Sequence, residues 1–134
     1  MWRNFKLTIQ HNAKWLPDIR GDASERINAA CRAQIVAGFE SSALGAAHLY
    51  PFKPEDQSNL MSTFMLSQIS AMDKPFKCWD SSGVSGYRMH TTAQLQQVGQ
   101  DAETHKMAAL VKANTLKAQI AAATTLAEIE AIVW

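Results

Sequence analysis

The chain has 134 residues, 47% of them hydrophobic, and its 13 basic and 12 acidic residues leave a formal net charge of +1. This length and apolar content suit one folded domain and exclude a disordered chain, which needs fewer apolar residues and more net charge. The near-neutral balance argues against a broad nucleic-acid surface, which usually carries a basic excess.

The N-terminal segment lacks the continuous apolar run of a signal peptide, and no stretch reaches the ~18 apolar residues of a spanning helix. We therefore expect a chain made in the cytoplasm without membrane insertion. Phe5, Leu7 and Ile9 alternate with polar residues, as in a short half-buried strand. Residues 1–21 are accordingly predicted to be either an arm that docks on a partner or an edge strand of the domain's own sheet.

The first helix is predicted to begin at Asp22, where Glu25 three residues later completes a capping-box pattern. Its apolar stripe repeats every four residues. The stripe consists of Ile27, Cys31 and Ile35. Gly38 stands where a left-handed residue is expected to end the helix.

A short hairpin follows, with strands over 39–42 and 47–50 and Gly45 in the turn, where a positive φ is needed. The second helix is predicted to start at Pro54 or Glu55, because proline is tolerated in a first helical turn. This helix carries a methionine stripe, which we expect to fill the core rather than to serve as an adaptable binding face. The stripe consists of Met61, Met65 and Met72.

A second hairpin is predicted from strands over 76–80 and 84–90, with a type I turn and a glycine bulge at Gly83. Thr91 and Gln94 then form another capping box, and the following helix runs to about Ala122. It would be roughly 45 Å long at ~1.5 Å per residue. A last short helix begins at Thr125. These elements together predict an α+β fold, in which the two hairpins form a small antiparallel sheet packed by helices, with a long C-terminal helix.

The apolar stripe of the long helix recurs at close to seven residues. It either packs on this chain's own sheet or forms a helical seam with copies of itself, which predicts a homo-oligomer. The candidates for a partner interface are Trp2, Phe5, Trp15, Leu95, Val98, Ala102, Ala109, Leu116 and Ile120.

No catalytic or ligand signature stands out from the sequence. The four histidines lie in no HExxH pair and beside no CxxC, so we expect no metal and no cofactor. Cys31 and Cys78 are expected to be buried thiols rather than a disulfide. A small envelope-directed hydrolase would require His48, His90 and Cys78 to come together, and we expect these residues to be structural and the protein not to be an enzyme.

Several pieces in a fixed order carry a resemblance to a known family. They are Gly38-Phe39, Ser42-Ala43-Leu44-Gly45, His48-Leu49-Tyr50, Asp56-Gln57-Ser58-Asn59-Leu60, the run from Phe76 to Asp80, and His90-Thr91-Thr92-Ala93-Gln94-Leu95. Over residues 22–134 the chain resembles a domain family of unknown function that recurs in bacteriophage tail-fibre and tail-associated proteins.

The resemblance implies a structural or adaptor protein of a phage or prophage tail, with other tail proteins as partners. An alternative is a tail-fibre assembly chaperone that is missing from the mature particle. The expected locations are the host cytoplasm during synthesis and then the virion tail. The family has no established chemistry, so the resemblance assigns no catalytic residue.

Overall fold

The computed structural model describes the backbone of residues 2–134 and the side chains of residues 15–134. Helices and short strands follow one another along the chain. They are α1 (Trp2–Val36), β1 (Phe39–Ser41), β2 (His48–Tyr50), α2 (Pro54–Ser70), β3 (Lys74–Trp79), β4 (Ser85–His90), α3 (Thr92–Ala122) and α4 (Leu126–Glu130).

The strands form one antiparallel sheet in the order β1-β2-β3-β4. The two strands of each hairpin pair with each other, and the pairing of Leu49 with Trp79 joins the two hairpins into one sheet. The α+β fold, the small sheet built from two hairpins and the long helix near the C-terminus are therefore confirmed.

The prediction of a strand over residues 5–9 is wrong. Residues 2–36 form the single helix α1, and no strand of the described sheet comes from this segment. Three alternating residues are too short a pattern to distinguish a strand from a helix. The predicted start of the first helix at Asp22 is wrong for the same segment, because α1 continues through Pro17.

The C-terminal end of α1 and the first hairpin follow the predicted geometry. Gly38, two residues after the last residue of α1, has a φ of +99°, and Gly45 has a φ of +95° in the turn between β1 and β2. On β2, Tyr50 is buried whereas Leu49 is exposed, so the two residues face opposite sides of the sheet. The left-handed helix stop and the hairpin are confirmed.

The second hairpin has the predicted turn. The N–H of Gly83 donates to the carbonyl of Asp80, and Gly83 has a φ of +79°. The Asp80 carboxylate accepts from the N–H groups of Ser82 and Val84, which holds the loop closed. These backbone hydrogen bonds, with the one from Val84 as the largest cause, lower the pKa of Asp80.

The chain divides into two compact units, Ala33–Ala109 and the pair Met1–Arg32 with Leu110–Trp134. In the first unit, one face of the sheet packs against α2 and the first turns of α3. The buried core consists of Phe39, Tyr50, Phe52, Leu60, Phe76, Cys78, Leu95, Val98 and Ala102. Packing of a half-buried sheet on amphipathic helices accounts for this arrangement.

The second unit combines residues of α1 with the end of α3 and with α4. Arg20 donates from Nε and Nη2 to the carbonyl of Ala123, at 3.2 and 2.6 Å. The Lys112 ammonium lies 4.5 Å from the centre of the Trp134 ring. The buried apolar residues of this unit are Ala23, Ile27, Cys31, Ala113, Ile120, Ala123 and Ile129.

Candidate functional site

The face of the sheet opposite the core carries apolar side chains that remain accessible. Tyr87 is 75% exposed and Met89 57%, and Leu49 is also exposed. The register sets Tyr87 opposite Lys77 and Met89 opposite Pro75. We call this surface the outer sheet face, and it consists of Leu49, Pro75, Lys77, Trp79, Tyr87 and Met89.

Lys77 and Trp79 form a pair on this face. The Lys77 ammonium lies 5.4 Å from the centre of the Trp79 ring, within the range of a cation–π contact. Both residues are two positions apart on β3, so their side chains project from the same side of the strand. The outer sheet face thus combines aromatic and aliphatic area with one basic group.

Helix α2 and Met72, just after its end, expose a second apolar surface. We call it the methionine row, and it consists of Met61, Met65, Leu66, Ile69 and Met72, all between 56% and 81% exposed. No charged residue occurs between Asp56 and Asp73. The expectation that the methionines fill the core is wrong, because α2 packs on one side only and buries Leu60 while Phe64 is half-buried.

The stripe of α3 lies inside the chain. Leu95 and Val98 are fully buried, and Ala102, Ala109 and Ile120 are at most 4% exposed. The predicted interface at these five residues is therefore wrong for this fold, since their surface is already covered. Seven-residue repetition does not distinguish a seam between copies from packing within a chain.

The remaining interface candidates lie in several environments. Leu116 is half-buried on α3. Trp15 on α1 is 47% exposed. The side chains of Trp2 and Phe5 lie outside the described residues. Among the candidates whose side chains are described, Trp15 alone presents a large exposed apolar surface.

A buried polar pair lies beneath the sheet. The Tyr50 hydroxyl and His90 Nε2 are 2.7 Å apart, and both side chains are fully buried. His90 Nδ1 lies 2.6 Å from the carbonyl oxygen of Arg88, which can only accept, so Nδ1 carries the proton. Because burial disfavours the charged imidazolium, Nε2 is unprotonated and accepts from the Tyr50 hydroxyl.

Burial governs the ionisation of this pair. Loss of solvent lowers the pKa of His90 and raises the pKa of Tyr50, in the second case helped by the nearby Cys78 thiol. Arg88 Nη1 donates to the Cys78 carbonyl at 2.7 Å, and its Nη2 forms a 3.2 Å ion pair with Asp80. The cluster is a satisfied hydrogen-bond network that keeps its reactive atoms away from solvent.

Among the described side chains, no hydrogen bond joins any two of the three residues that a hydrolase would need together. Cys78 and His90 are both fully buried, whereas His48 lies at the start of β2 and donates from Nδ1 to the Ala46 carbonyl.

His105 donates from Nε2 to the carbonyls of Gln34 and Ile35, at 2.9 and 3.2 Å, and so caps the end of α1.

Cavities of about 750 and 540 Å³ open on the unit Ala33–Ala109. One, of about 750 Å³, is lined mostly by polar groups. It is bordered by Glu40, Ser41, Ser42, Ala43, Ala93, Gln94, Gln97 and Asp101. The other, of about 540 Å³, lies by the hairpin ends and is bordered by His48, Leu49, Trp79 and Asp80 among others.

Neither cysteine forms a disulfide, and both are buried, as expected. In the part of the chain with described side chains, no three His, Cys, Asp or Glu groups come close enough to hold a metal ion. None of the described helices is both long and apolar enough to cross a membrane.

Sequence reasoning missed the pairing of Tyr50 with His90 and the capping of α1 by His105. The pairs are separated by 40 and about 70 residues. No local sequence pattern predicts contacts between residues so far apart in the sequence, because these contacts depend on how the hairpins and α3 pack.

A family described as "Domain of unknown function (DUF4376)" matches residues 18–133. The chain belongs to this family. No curated protein and no solved structure matches the chain. The DUF4376 match covers both units, and its description states no activity, so the association with phage tails stays a prediction.

Proposed function

We propose that this DUF4376 protein is a structural or adaptor component of a bacteriophage or prophage tail and acts through protein–protein contacts. Two observations support the proposal: the sequence resemblance to tail-associated proteins, and the amount of apolar surface left accessible on the domain. The accessible apolar surface is the observation that supports a function through protein–protein contacts.

The methionine row and the outer sheet face are both accessible. Single exposed apolar residues are ordinary, but contiguous apolar surfaces on a soluble domain commonly mark interaction sites. The methionine row has four members on α2 and a fifth, Met72, two residues beyond its end, with no charged residue among them. A partner that covers this row would release ordered water without having to desolvate a charged group.

The accessible chemistry also favours binding. The groups most suited to nucleophilic or acid–base reactions, Cys78 and His90, are fully buried and engaged with neighbours. A substrate could reach neither without an opening of the sheet. The acidic side chains Glu40 and Asp101 border a wide polar cleft in which no described group completes a recognisable catalytic arrangement.

The tail-fibre assembly chaperone is the second candidate, and the methionine row is the observation that favours it. Methionine side chains are flexible and polarisable, and surfaces built from them adapt to different partners. A chaperone must bind and then release its client, which suits an adaptable surface better than a rigid one.

Mass spectrometry of purified particles tests the proposal and separates the two candidates. A phage or prophage that encodes the chain is induced, its particles are purified, and the peptides of this chain are quantified against a known tail protein. A stoichiometric presence supports the structural role. Absence from the particles, together with co-purification with a fibre protein from the infected cell, would favour the chaperone.

A control variant makes the experiment specific to the methionine row. Met65→Lys is expected to reduce incorporation or co-purification, because it places a charge in the middle of the row. Val133→Lys, at another exposed apolar position outside the row, is expected to leave both unchanged. If Met65→Lys changes neither incorporation into particles nor co-purification, the methionine row is not the binding surface.

A further inference from the structure

Strand β4 is an open edge of the sheet. It pairs with β3 on one side, and within the described part of the chain no strand pairs with its other side. With six residues it is twice as long as β1, the strand at the opposite edge. Proteins usually protect such an edge with a lysine, a proline, a bulge or a covering segment.

Of the usual protections, β4 itself carries only an inward-pointing charged residue, Arg88. Its sequence SGYRMH contains no lysine and no proline, and its register with β3 runs without a bulge from Lys74–His90 to Trp79–Ser85. Its one cation, Arg88, is occupied by Asp80 and by the Cys78 carbonyl. The strand is therefore a competent template for another strand.

The hydrogen-bond pattern shows which residues face the open side. The N–H of Asp80 donates to the carbonyl of Val84 at 3.0 Å, which marks these two as a hydrogen-bonded pair. Bonded and non-bonded pairs alternate along an antiparallel ladder. Arg88 and Gly86 therefore direct their main-chain groups to β3, whereas the N–H and C=O groups of the residues between and beside them point outward.

The outward residues are Ser85, Tyr87 and Met89. Pro75 supports the assignment independently, because it lies opposite Met89 in a pair that needs no N–H from it. Within the described part of the chain, no hydrogen bond outside the ladder uses the main chain of these three residues. All three are exposed to solvent.

We propose that β4 pairs with β4 of a second copy of this chain, antiparallel and with the two-fold axis at Tyr87. In this register Tyr87 meets Tyr87 of the second copy, and Ser85 meets Met89. Three bonded pairs then form about six main-chain hydrogen bonds across the axis. The two four-stranded sheets join into one continuous sheet.

The strand is self-complementary in this register. An isologous contact requires a surface that matches itself after a two-fold rotation, and the outward groups at 85, 87 and 89 are symmetric about 87. On the inner side, Arg88 faces Gly86 of the second copy, so no like charges meet. A shift by one residue on each strand towards His90 would instead set Arg88 against Arg88.

Side chains on the outer sheet face add to the contact. The two Tyr87 rings lie side by side across the axis, and aromatic cross-strand pairs stabilise antiparallel sheets. A second copy covers Tyr87, which is 75% exposed, and Met89, which is 57% exposed. The interface uses β4 rather than α3, and it does not depend on the tail assignment.

Analytical ultracentrifugation over a range of concentrations tests the interface. The wild-type chain is expected to dimerise, and Tyr87→Lys, which sets two ammonium groups against each other at the axis, is expected to weaken the dimer by about tenfold or more. Val133→Lys, at an exposed apolar position outside both apolar surfaces, is the matched control and should leave the dimer intact. A monomeric wild-type chain, or a dimer that persists unchanged with Tyr87→Lys, overturns the proposal.

Amide hydrogen exchange supplies a second readout that does not depend on a variant. The amides of Ser85, Tyr87 and Met89 should become slower to exchange as the protein concentration rises. Those of Gly86 and Arg88, bonded to β3, should be protected at every concentration. Equal behaviour of the two groups would contradict the proposal, as would protection of β4 only after a different protein is added.

Tyr87→Pro guards against a variant that merely fails to fold. Proline removes the amide at the axis, and it is tolerated on an edge strand where the N–H faces solvent. Circular dichroism should show the native fold for this variant, and sedimentation should show a monomer. A folded Tyr87→Pro dimer overturns the proposed register.

Discussion

The Tyr50 hydroxyl donates to His90 Nε2 over 2.7 Å inside the core, between two side chains with no exposed surface. This bond ties β2 to the end of β4 across the inner side of the sheet. Each partner satisfies a polar atom that would otherwise be buried alone, so the pair is expected to be important to stability beyond its single hydrogen bond.

Tyr50→Phe should destabilise the protein by about 1–3 kcal/mol, because it leaves His90 Nε2 buried without a donor. Chemical denaturation with urea measures the loss. Tyr87→Phe is the matched control, since it removes the hydroxyl of the chain's other tyrosine at an exposed site, and it should change stability by less than about 0.5 kcal/mol. Equal effects of the two variants would show that the buried bond contributes nothing.

Stability should depend on pH through His90. Burial lowers its pKa in the folded state below the ordinary value of 6.5, so the unfolded chain binds the proton more readily. The contribution of the neutral imidazole is therefore complete above pH 6.5 and is lost as the pH falls through the folded pKa. The slope cannot exceed about 1.4 kcal/mol per pH unit for one group.

Thermal unfolding between pH 8 and pH 5 measures this dependence. His90→Gln keeps an acceptor and a donor but does not titrate, and it should flatten the decline below pH 6.5. His48→Gln, at a partly exposed histidine, should leave the decline in place. An unchanged pH profile in the His90 variant would contradict the assignment.

Gly38→Ala should be among the most damaging glycine substitutions. A Cβ at this position would lie 2.6 Å from the carbonyl oxygen of Tyr50, and φ is +99°. Gly45→Ala has a similar φ of +95° but meets open space, so it isolates the cost of the dihedral, about 1–2 kcal/mol. Denaturation should show a larger loss at Gly38, because backbone atoms there must move.

Thr91→Ala should weaken the start of α3. The Thr91 hydroxyl accepts from the N–H of Gln94 at 3.1 Å, and the Gln94 side chain accepts from the N–H of Thr91 at 2.9 Å. Loss of such a cap costs about 1 kcal/mol. Thr104→Ala, at an exposed interior position of α3, should be neutral or slightly stabilising, and a comparable loss there would argue against the cap.

Residues that end helices, form turns or cap helices made much of the fold predictable. The glycine after α1, the turn at Asp80–Gly83 and the caps at Thr91 and Thr125 each depend on a few neighbouring residues, and all four occur as expected. The strand prediction for the N-terminal segment was wrong because three alternating residues are too short a pattern to exclude a helix through the same residues. The prediction that the methionines fill the core was wrong because periodicity identifies an apolar face without showing what covers it.

Sequence alone determined the order of the elements from β1 onward and placed the predicted strand ends within two residues of those observed, since backbone dihedrals, caps and short-range periodicity act within a few residues. Tertiary structure decided which apolar faces are buried. It placed the stripe of α3 inside the chain, left the methionine row in solvent, paired Tyr50 with His90 and left β4 as an open edge. These outcomes depend on contacts between residues far apart in the chain, where no local pattern specifies the partner.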